Sequence, residues 1–332
     1  MDETKHSPQT QPMPIGEIRT LAVALRDNIS KVINGKEEVI DLVLTALFAS
    51  GHLLLEDMPG TGKTTLAKAL AKSIDADFSR VQFTPDILPS DLTGINFFDQ
   101  KKSDFVFRPG PIFTSILLAD EINRTTPRTQ SSLLECMEEG QITVDGVTYP
   151  LQQPFFVIAT QNPIETSGTF PLPEAQLDRF FMKLSVGYPD REAESAMLGR
   201  FQQQNPLDSL KPVADKDQIL AARQAVKTVK VSDAVRGYVV DLARASREFQ
   251  GVRLGMSPRG ALALMRGAQV RAAFAGRDFV TPHDVKTIAP HVMTHRLITR
   301  GSSGLRGENT TAQTVAEILG SVPVPVENGA AQ

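Results

Sequence analysis

Two hydrophobic patterns divide the chain, and the change between them falls near residue 189. Before that point, short apolar runs of the kind found in buried parallel strands alternate with stretches of helical spacing. Residues from Ile15 to about Ser50 also repeat with a helical period. The predicted strands are His52–Glu56, Ser115–Ala119 and Pro154–Thr160, and the predicted crossover helices are Lys63–Ser73 and Pro127–Glu139. This alternation predicts an α/β fold with an open, mainly parallel sheet.

The part of the chain after Pro189 contains helical patterns and no further strand-like run. Apolar positions trace one face of Ser232–Phe249, and Ser232 is placed to cap that helix. Ser257-Pro258 and Thr281-Pro282 each put a capping residue before a proline, which is typical of a helix start. We therefore predict an α/β domain over 15–189 and a smaller all-helical domain over 190–321. The termini, 1–14 and 322–332, lack periodicity and are predicted to be disordered.

Two segments of the first domain have the pattern of inserted β-hairpins. In Gln141–Pro150, apolar and polar residues alternate on both sides of Asp145-Gly146, which is a strong two-residue turn signal. In Leu92–Phe113, two strand-like runs flank the polar turn DQKKS. These two strand-like runs carry four phenylalanines, namely Phe97, Phe98, Phe105 and Phe107. Such a cluster usually packs in the core beneath the hairpin, and a surface that grips a partner is the alternative.

Composition narrows the classes of function without choosing one. The 332 residues are 41% hydrophobic and 22% charged, the balance of an ordinary globular protein. A formal charge of −3 gives no global attraction to nucleic acid or to anionic membranes. The longest apolar run, 42–55, is interrupted and too short to span a bilayer, and the polar amino terminus is unlike a signal peptide. A single cysteine, Cys136, allows no intrachain disulfide, so we expect a soluble cytoplasmic protein.

The segment PGTGKTT follows the first predicted strand and opens the first crossover helix, which is the context of a phosphate-binding loop. Its glycines let successive backbone N–H groups point at phosphate oxygens, and the helix amino terminus adds its positive dipole end. We predict that Lys63 contacts the β- and γ-phosphates and that the Thr64 hydroxyl ligates Mg²⁺. The predicted nucleotide-binding residues of the loop are Pro59, Gly60, Thr61, Gly62, Lys63, Thr64 and Thr65. The strict pattern has glycine where this chain has Asp57, so we interpret the segment as a variant loop.

Another predicted strand ends in two carboxylates, Asp120 and Glu121. Asp120 is predicted to lie in the nucleotide-binding site and to hold Mg²⁺ through the water shell of the ion. Glu121 is predicted to polarise the attacking water as a general base. Acidic residues after a strand often only begin a loop, but this pair lies on a separate strand downstream of the phosphate loop. The two segments together predict ATP hydrolysis.

The phosphate loop, the segments LLADEINR and VIATQNP, and then LPEAQLDRFFMKL together resemble the MoxR family of AAA+ ATPases, over roughly Ile15 to Ile298. The resemblance implies a P-loop AAA+ core followed by a helical lid domain. It implies that Asn162 is a sensor that hydrogen-bonds the γ-phosphate and the attacking water. It also implies that Arg179 is an arginine finger supplied to a neighbouring subunit. Taken alone, Asn162 fits a turn at a strand end and Arg179 fits a surface salt bridge.

The same resemblance implies that Arg259, in GMSPRG, is a second sensor that reaches the nucleotide from the lid. The position of Arg259 in its helix points the same way. Arg259 falls in the first turn of a helix capped by Ser257, where a cation is unfavourable by about a few tenths of a kcal/mol because of the helix dipole. A residue that breaks a local rule hints at a functional site. Val32, Ile33 and Gly35 correspond to an adenine-facing stretch of the family, although Val-Ile before a helix break is equally good core.

Cofactors and partners also follow from the resemblance. ATP and Mg²⁺ are the expected cofactors, and a homo-hexameric ring with sites at the subunit interfaces is the expected assembly. Proteins of this family are associated with chaperone-like remodelling of a client protein, or with metal or cofactor insertion into it. A separate von Willebrand factor A-domain protein is often their partner. Leu92–Phe113 and Gln141–Pro150 correspond to inserted elements that commonly move with the nucleotide state and touch the substrate.

Two other functions fit the same scaffold. A nucleic-acid motor or DNA-dependent regulator would grip DNA with the hairpins, but the sequence pI near 6.0 and the lack of a recognisable DNA-binding module argue against it. A non-hydrolysing nucleotide switch is disfavoured by the intact Asp120-Glu121 pair. His291 and His295 have helical spacing, but no HExxH glutamate lies between them, so we predict no metal site there.

Overall fold

The computed structural model describes residues 13–163, 168–202, 205–300 and 305–325. Its strands are β1 (Leu53–Glu56), β2 (Phe78–Gln82), β3 (Gly94–Asp99), β4 (Asp104–Pro109), β5 (Ile116–Asp120), β6 (Gln141–Val144), β7 (Val147–Pro150), β8 (Phe156–Gln161), β9 (Met182–Leu184), β10 (Val252–Leu254) and β11 (Ile298–Thr299). Its helices are α1 (Ile15–Ser30), α2 (Glu37–Phe48), α3 (Lys63–Ser73), α4 (Pro89–Thr93), α5 (Pro127–Glu139), α6 (Glu174–Leu177), α7 (Arg191–Phe201), α8 (Lys216–Val226), α9 (Asp233–Glu248), α10 (Pro258–Phe274), α11 (Pro282–Met293) and α12 (Leu305–Ser321).

A five-stranded sheet lies at the centre of the first part of the chain. Its order is β2-β5-β8-β1-β9, and every neighbouring pair is parallel. β1, β5 and β8 are buried along almost their whole length, which explains why they stand out as continuous apolar runs. The predicted α/β fold with a parallel sheet is confirmed. Because the strands run the same way, the residues that follow β1, β5 and β8 meet at the carboxyl ends of the strands, on one side of the sheet.

Local capping chemistry sets the helix boundaries. α3 and α5 begin and end at the predicted residues. Ser232 caps α9 and Ser257 caps α10, each by accepting a hydrogen bond from the backbone N–H three residues on, at 3.3 and 3.1 Å. At α11, Thr281 and Asp284 form a reciprocal capping box. These helix starts depend on residues close together in the chain, so the sequence predicts them well.

Four short strands are not predicted by the sequence, and the expectation of no strand after Pro189 is wrong. β2 and β9 form the two edges of the sheet, while β10 and β11 pair antiparallel among the later helices. β2 mixes polar and apolar residues and buries only Val81, and the other three strands have at most three residues each. Strands this short or this exposed carry no readable periodicity, because pairing with a distant partner decides them. From α7 onward, the described chain is otherwise helical.

One hydrophobic cluster joins the sheet to the later helices. It contains sheet residues such as Leu53 and Ile116, side chains of α1 to α3, and side chains such as Leu264 and Ile288 from the later helices. A second cluster, which includes Leu117 and α5, covers the opposite face of the sheet. The proposed division at 189 therefore marks a change of secondary structure across which the apolar core continues. Residues 1–12 and 326–332 of the two predicted disordered termini lie outside the described residues.

Both predicted hairpins are present, as β3–β4 and β6–β7. Asp145 and Gly146 have φ of 50° and 82°, the left-handed conformation that a two-residue hairpin turn requires. The two hairpins pack against each other. Phe107 stacks on Tyr149 with ring centroids 4.2 Å apart, and the Asn96 amide donates a hydrogen bond of 2.7 Å to Asp145.

The phenylalanines of the β3–β4 hairpin do not share one environment. Phe107 is half-buried against the second hairpin, as the core interpretation predicts. Phe97, Phe98 and Phe105 are 42%, 54% and 68% exposed, so the core interpretation is wrong for these three. These three lie nearer the tip of the hairpin than Phe107 does. Across the described segments, no helix combines the length and hydrophobicity needed to cross a lipid bilayer.

Candidate functional site: a phosphate-loop cavity and an arginine cavity

The loop between β1 and α3 is shaped by two glycines with left-handed backbone. Gly60 and Gly62 have φ of 85° and 86°, values that residues with a Cβ rarely adopt. Gly62 directly precedes α3, so the loop ends at the positive end of that helix dipole. This arrangement suits the binding of a phosphate group.

A cavity of about 400 Å³ opens beside this loop, and we call it the phosphate-loop cavity. Every predicted residue from Pro59 to Thr65 lines it, together with Asp120, Glu121 and Asn162. The cavity combines backbone N–H groups, hydroxyl groups, the cations of Lys63 and Arg80, and acidic residues that include Asp120 and Glu121. Thr64 and Asp120 offer the few oxygen donors that Mg²⁺ takes from a protein when phosphates and waters supply its other ligands.

Lys63, the first residue of α3, turns its ammonium group back toward the start of the loop. Nζ donates to the carbonyl oxygens of Asp57 and Met58, both at 2.9 Å. The Asp57 carboxylate is held in turn by three donors from residues 185–187. Lys63 is therefore already oriented by the residues at the entrance to the loop.

Asp120, the last residue of β5, is buried and has both carboxylate oxygens engaged. Thr160 Oγ1 donates to Oδ1 at 2.6 Å. Arg80, on β2, donates to Oδ2 through Nη2 at 2.6 Å and through Nε at 3.1 Å. Thr160 fixes the orientation of the carboxylate, and Arg80 balances its charge in this structure.

Glu121 has φ of 58° and ψ of 51°, an uncommon left-handed backbone for a residue with a side chain. Its N–H donates to Thr160 Oγ1 at 2.9 Å, which anchors this turn to β8. Its Oε2 accepts from Gln82 Nε2 at 2.8 Å and lies 3.0 Å from Arg124 Nε. Backbone strain of this kind is often found at functional sites, and here it accompanies the predicted general base.

Asn162 directly follows β8, is buried and lines the phosphate-loop cavity beside the acid pair. The predicted adenine-facing residues are placed differently. Val32, Ile33 and Gly35 line neither this cavity nor the one described next. Val32 is buried in the large apolar cluster, as the core interpretation expects, and a Cβ on Gly35 would lie 3.2 Å from Ala193. Contact with adenine stays a prediction for these three residues.

The two predicted arginines lie together, away from the phosphate loop. Arg179 and Arg259 line a separate cavity of about 370 Å³, which we call the arginine cavity. Glu138, in the last turn of α5, joins them: Oε2 lies 3.4 Å from Arg179 Nε, and Oε1 accepts from Arg259 Nη2. The structure thus places Arg259 beside the predicted arginine finger and not beside the loop of its own chain. A contact between Arg259 and nucleotide stays a prediction.

A buried arginine braces this cavity. Arg296, only 5% exposed, donates to the carboxylate of Asp178 at 2.8 Å and to the carbonyl of Phe181 at 3.2 Å. Asp178 also accepts from the Ser257 hydroxyl at 2.8 Å, so the cap of α10 is tied to the segment that carries Arg179. Burial lowers the pKa of Arg296, and the Asp178 carboxylate acts in the opposite direction. The spacing of Arg179 and Arg259 is therefore fixed by a network that joins the sheet to the later helices.

Sequence reasoning misses several polar residues of the two cavities, among them Arg80, Gln82, Thr160 and Glu138. Arg80 and Gln82 lie on β2, whose five residues FSRVQ do not alternate and so do not identify it as a strand. Thr160 ends a predicted strand, and the polar residue there is the one available signal. Glu138 is an acid at a helix carboxyl end, where the dipole disfavours it, and that exception could have marked it.

A phosphate loop after β1, an acid pair at the end of β5 and a polar residue after β8, the strand between those two, define a P-loop ATPase of the AAA class. Residues 52–182 match the family described as "ATPase family associated with various cellular activities (AAA)", and residues 244–318 match the AAA lid domain. The chain is 48% identical to the uncharacterized protein YeaC of Bacillus subtilis, over 92% of this chain and 95% of the relative. It is 36% identical to Chaperone MoxR1 of Mycobacterium tuberculosis, over 95% of this chain and 85% of the relative.

A crystal structure of a candidate ATPase from Cytophaga hutchinsonii superposes with a TM-score of 0.85 and 38% identity. The superposition covers 93% of this chain and 96% of the other. The chain belongs to the MoxR family of AAA+ ATPases. It is therefore a nucleotide-binding enzyme that hydrolyses ATP.

Proposed function

We propose that the chain forms a homo-hexameric ring that uses Mg²⁺-dependent ATP hydrolysis to remodel a client protein or to insert a metal or cofactor into it. The cytoplasm is the proposed location, supported by the single cysteine. A separate von Willebrand factor A-domain protein is the proposed partner. The similarity to Chaperone MoxR1 over nearly the whole chain supports the chaperone role.

One observation carries the proposal of a shared active site. Arg179 and Arg259 converge on Glu138 in a cavity that is separate from the phosphate loop of their own chain. Arginine has five N–H donors, so each side chain retains donors beyond the one that contacts Glu138. In the proposed ring, a neighbouring subunit presents the terminal phosphate of its nucleotide to these donors. Both arginines then act in trans, and they stabilise charge that develops on that phosphate.

In the proposed reaction, water attacks the γ-phosphorus, the bond to the bridging oxygen breaks, and ADP and inorganic phosphate form. Glu121 accepts the proton of the water, and Asn162 orients that water. Lys63 and the loop N–H groups hold the β- and γ-phosphates. Thr64 and Asp120 would hold Mg²⁺, which would neutralise phosphate charge when bound. Arg80 must release Asp120 for this, and a nucleotide phosphate in the same cavity is its natural new partner.

Subunit mixing tests the shared site. Lys63→Ala removes the phosphate contact but keeps the arginines, and Arg179→Ala does the reverse. We expect each variant alone to hydrolyse ATP at least about 100-fold more slowly than wild type, and a mixture of the two to recover part of the activity. Phosphate release in the mixture is the measurement. Arg236→Ala is the matched control, because Arg236 is exposed on α9 and pairs with Asp233.

Recovery in the mixture requires a site built from two chains, since neither variant contains a complete one. Full activity of Arg179→Ala alone would contradict the shared site, and so would a mixture no more active than its components. Ring size is measured separately, by light scattering with ATP and the slowly hydrolysing variant Glu121→Gln.

The client role is tested with the same slow variant. Glu121→Gln should bind ATP and retain its partner in a pull-down, because hydrolysis no longer releases it. Phe98 and Phe105, whose exposed rings lie 5.4 Å apart, are the proposed contact. Adding Phe98→Ser and Phe105→Ser should leave the basal ATPase rate within about twofold, since neither lines the phosphate-loop cavity or the arginine cavity, and should abolish partner retention. Recovery of nucleic acid without protein would instead support the nucleic-acid motor.

A further inference from the structure

Asp57 stands where the strict phosphate-loop pattern has glycine, and its carboxylate is buried. Its Oδ1 accepts hydrogen bonds from the Ser185 hydroxyl at 2.7 Å and from the Gly187 N–H at 3.0 Å. Its Oδ2 accepts one from the Val186 N–H at 2.6 Å. Three consecutive residues therefore converge on one carboxylate. A buried anion is tolerated where such donors offset the loss of hydration.

The main chain of Asp57 is engaged by two other parts of the site. Its carbonyl oxygen accepts a hydrogen bond from Lys63 Nζ at 2.9 Å, and its N–H donates to the Gln161 carbonyl at 3.4 Å. Gln161 is the last residue of β8 and directly precedes Asn162. Asp57 thus links the lysine of the loop, the end of β8 and the segment that leaves β9.

We propose that Asp57 is a positioning residue for nucleotide binding. Its side chain braces the start of the phosphate loop against residues 185–187, and this brace fixes where Lys63 stands. Glycine at this position would supply conformational freedom, whereas the aspartate supplies a fixed anchor. A loop held in its binding conformation loses less entropy when the phosphates arrive, so the brace strengthens binding.

The braced segment also leads out of the sheet. Tyr188 follows directly, and its carbonyl accepts a hydrogen bond from Lys36 Nζ at 2.8 Å. α7 begins at Arg191, and the later helices follow it. The brace therefore connects the phosphate loop to the point where the chain enters its helical part, and releasing it should affect both sides.

Two substitutions of Asp57 test the proposal through the Kd for a fluorescent ATP analogue in the presence of Mg²⁺. Asp57→Gly restores the glycine of the strict pattern, and we expect it to weaken binding about tenfold or more. Asp57→Asn keeps the shape but exchanges one acceptor oxygen for a donor amide. We expect about a fivefold loss, and faster hydrogen exchange at the amides of Val186 and Gly187 in both variants.

Asp284→Asn is the matched control, because Asp284 is also a buried carboxylate that accepts several hydrogen bonds, from Arg277 and Thr281. It should lower the melting temperature but leave the Kd unchanged. Asp57→Gly with wild-type affinity would overturn the proposal, as would an equal loss of affinity in Asp284→Asn.

Ser185→Ala provides a milder variant if the Asp57 variants do not fold. It removes one of the three donors at an exposed side chain, and about a threefold rise in Kd is expected. An unchanged Kd there would also overturn the proposal. All of these measurements concern binding by the full chain, so their outcome is independent of the proposed ring and client.

Discussion

The phosphate-loop cavity and the arginine cavity are built in opposite ways. The first takes most of its residues from one short loop and from the carboxyl ends of three parallel strands, which lie on one side of the sheet. The second takes its key charges from the end of α5, the segment before β9 and the first turn of α10. The side chain of Asp120 is 13% exposed, whereas those of Arg179 and Arg259 are 34% and 43% exposed. The acid of the first cavity is therefore more buried than the two cations of the second.

The two cavities also differ in how their charged groups are placed relative to the helix dipoles. The amino end of α3 favours an anion, so the phosphate loop agrees with local electrostatics. In the arginine cavity, Glu138 lies at the carboxyl end of α5 and Arg259 at the amino end of α10, and each opposes its own helix dipole. The two residues offset each other by pairing. A charge that is unfavourable within its own helix can be satisfied across a tertiary contact.

The largest expected difference is that substitutions in the phosphate-loop cavity abolish ATP binding, whereas substitutions in the arginine cavity lower kcat. Lys63→Ala should lose detectable ATP binding, because the loop loses its one lysine. Arg179→Ala and Arg259→Ala should bind ATP with a Kd within about threefold of wild type, while kcat falls about 100-fold or more for Arg179. Equilibrium binding and phosphate release under saturating ATP separate the two. A tenfold rise in the Kd of Arg259→Ala would place that residue in the binding machinery and break the comparison.

Acid should destabilise the fold through a histidine in the wall of the arginine cavity. His52 is buried: Nδ1 accepts from the Val157 N–H at 3.0 Å, so Nε2 donates to the Met137 carbonyl at 2.9 Å. Burial lowers its pKa from 6.5 to about 4. The unfolded chain therefore binds a proton at a higher pH than the folded one, and stability is lost as the pH falls from about 6.5 toward 4. The expected loss is on the order of 3 kcal/mol.

Chemical denaturation at several pH values measures this loss, and His52→Gln should flatten the dependence between pH 6.5 and 4. His295 shifts in the same direction, because burial also lowers its pKa well below the usual value. Some dependence should therefore persist in the variant. If the pH dependence of stability is unchanged in His52→Gln, this histidine does not contribute to it.

The smallest expected effect concerns Glu138. Glu138→Ala removes the acceptor shared by Arg179 and Arg259, so both side chains lose their common orientation. We expect kcat to fall about tenfold with the Kd for ATP unchanged, and Glu138→Gln to lose less because its amide oxygen still accepts. In a double-mutant cycle, Glu138→Ala and Arg259→Ala should combine to less than the product of their separate effects. Simple multiplication of the two effects would show that Glu138 does not act through Arg259.

Much of the candidate site follows from sequence because its residues are close together or end predicted strands. The loop from Pro59 to Thr65 is contiguous. Asp120 ends β5 and Asn162 follows β8, and both strands are identifiable as buried apolar runs. Parallel strands bring their ends together without further information. The polar residues that hold this site were not predictable in the same way. Arg80 and Gln82 act from an edge strand that has no clear pattern of its own.

What the sequence determined by itself is the chemistry of short-range segments: helix starts at caps, buried strands, the hairpin turn at Asp145-Gly146 and the phosphate loop. Each depends on backbone and side-chain preferences within a few residues. Only the tertiary structure decided that Asp57 is braced by residues 185–187 and that Arg259 lies beside Arg179. It also decided that three hairpin phenylalanines are exposed. These outcomes depend on contacts between segments far apart in the chain, and no local preference specifies which distant surfaces will meet.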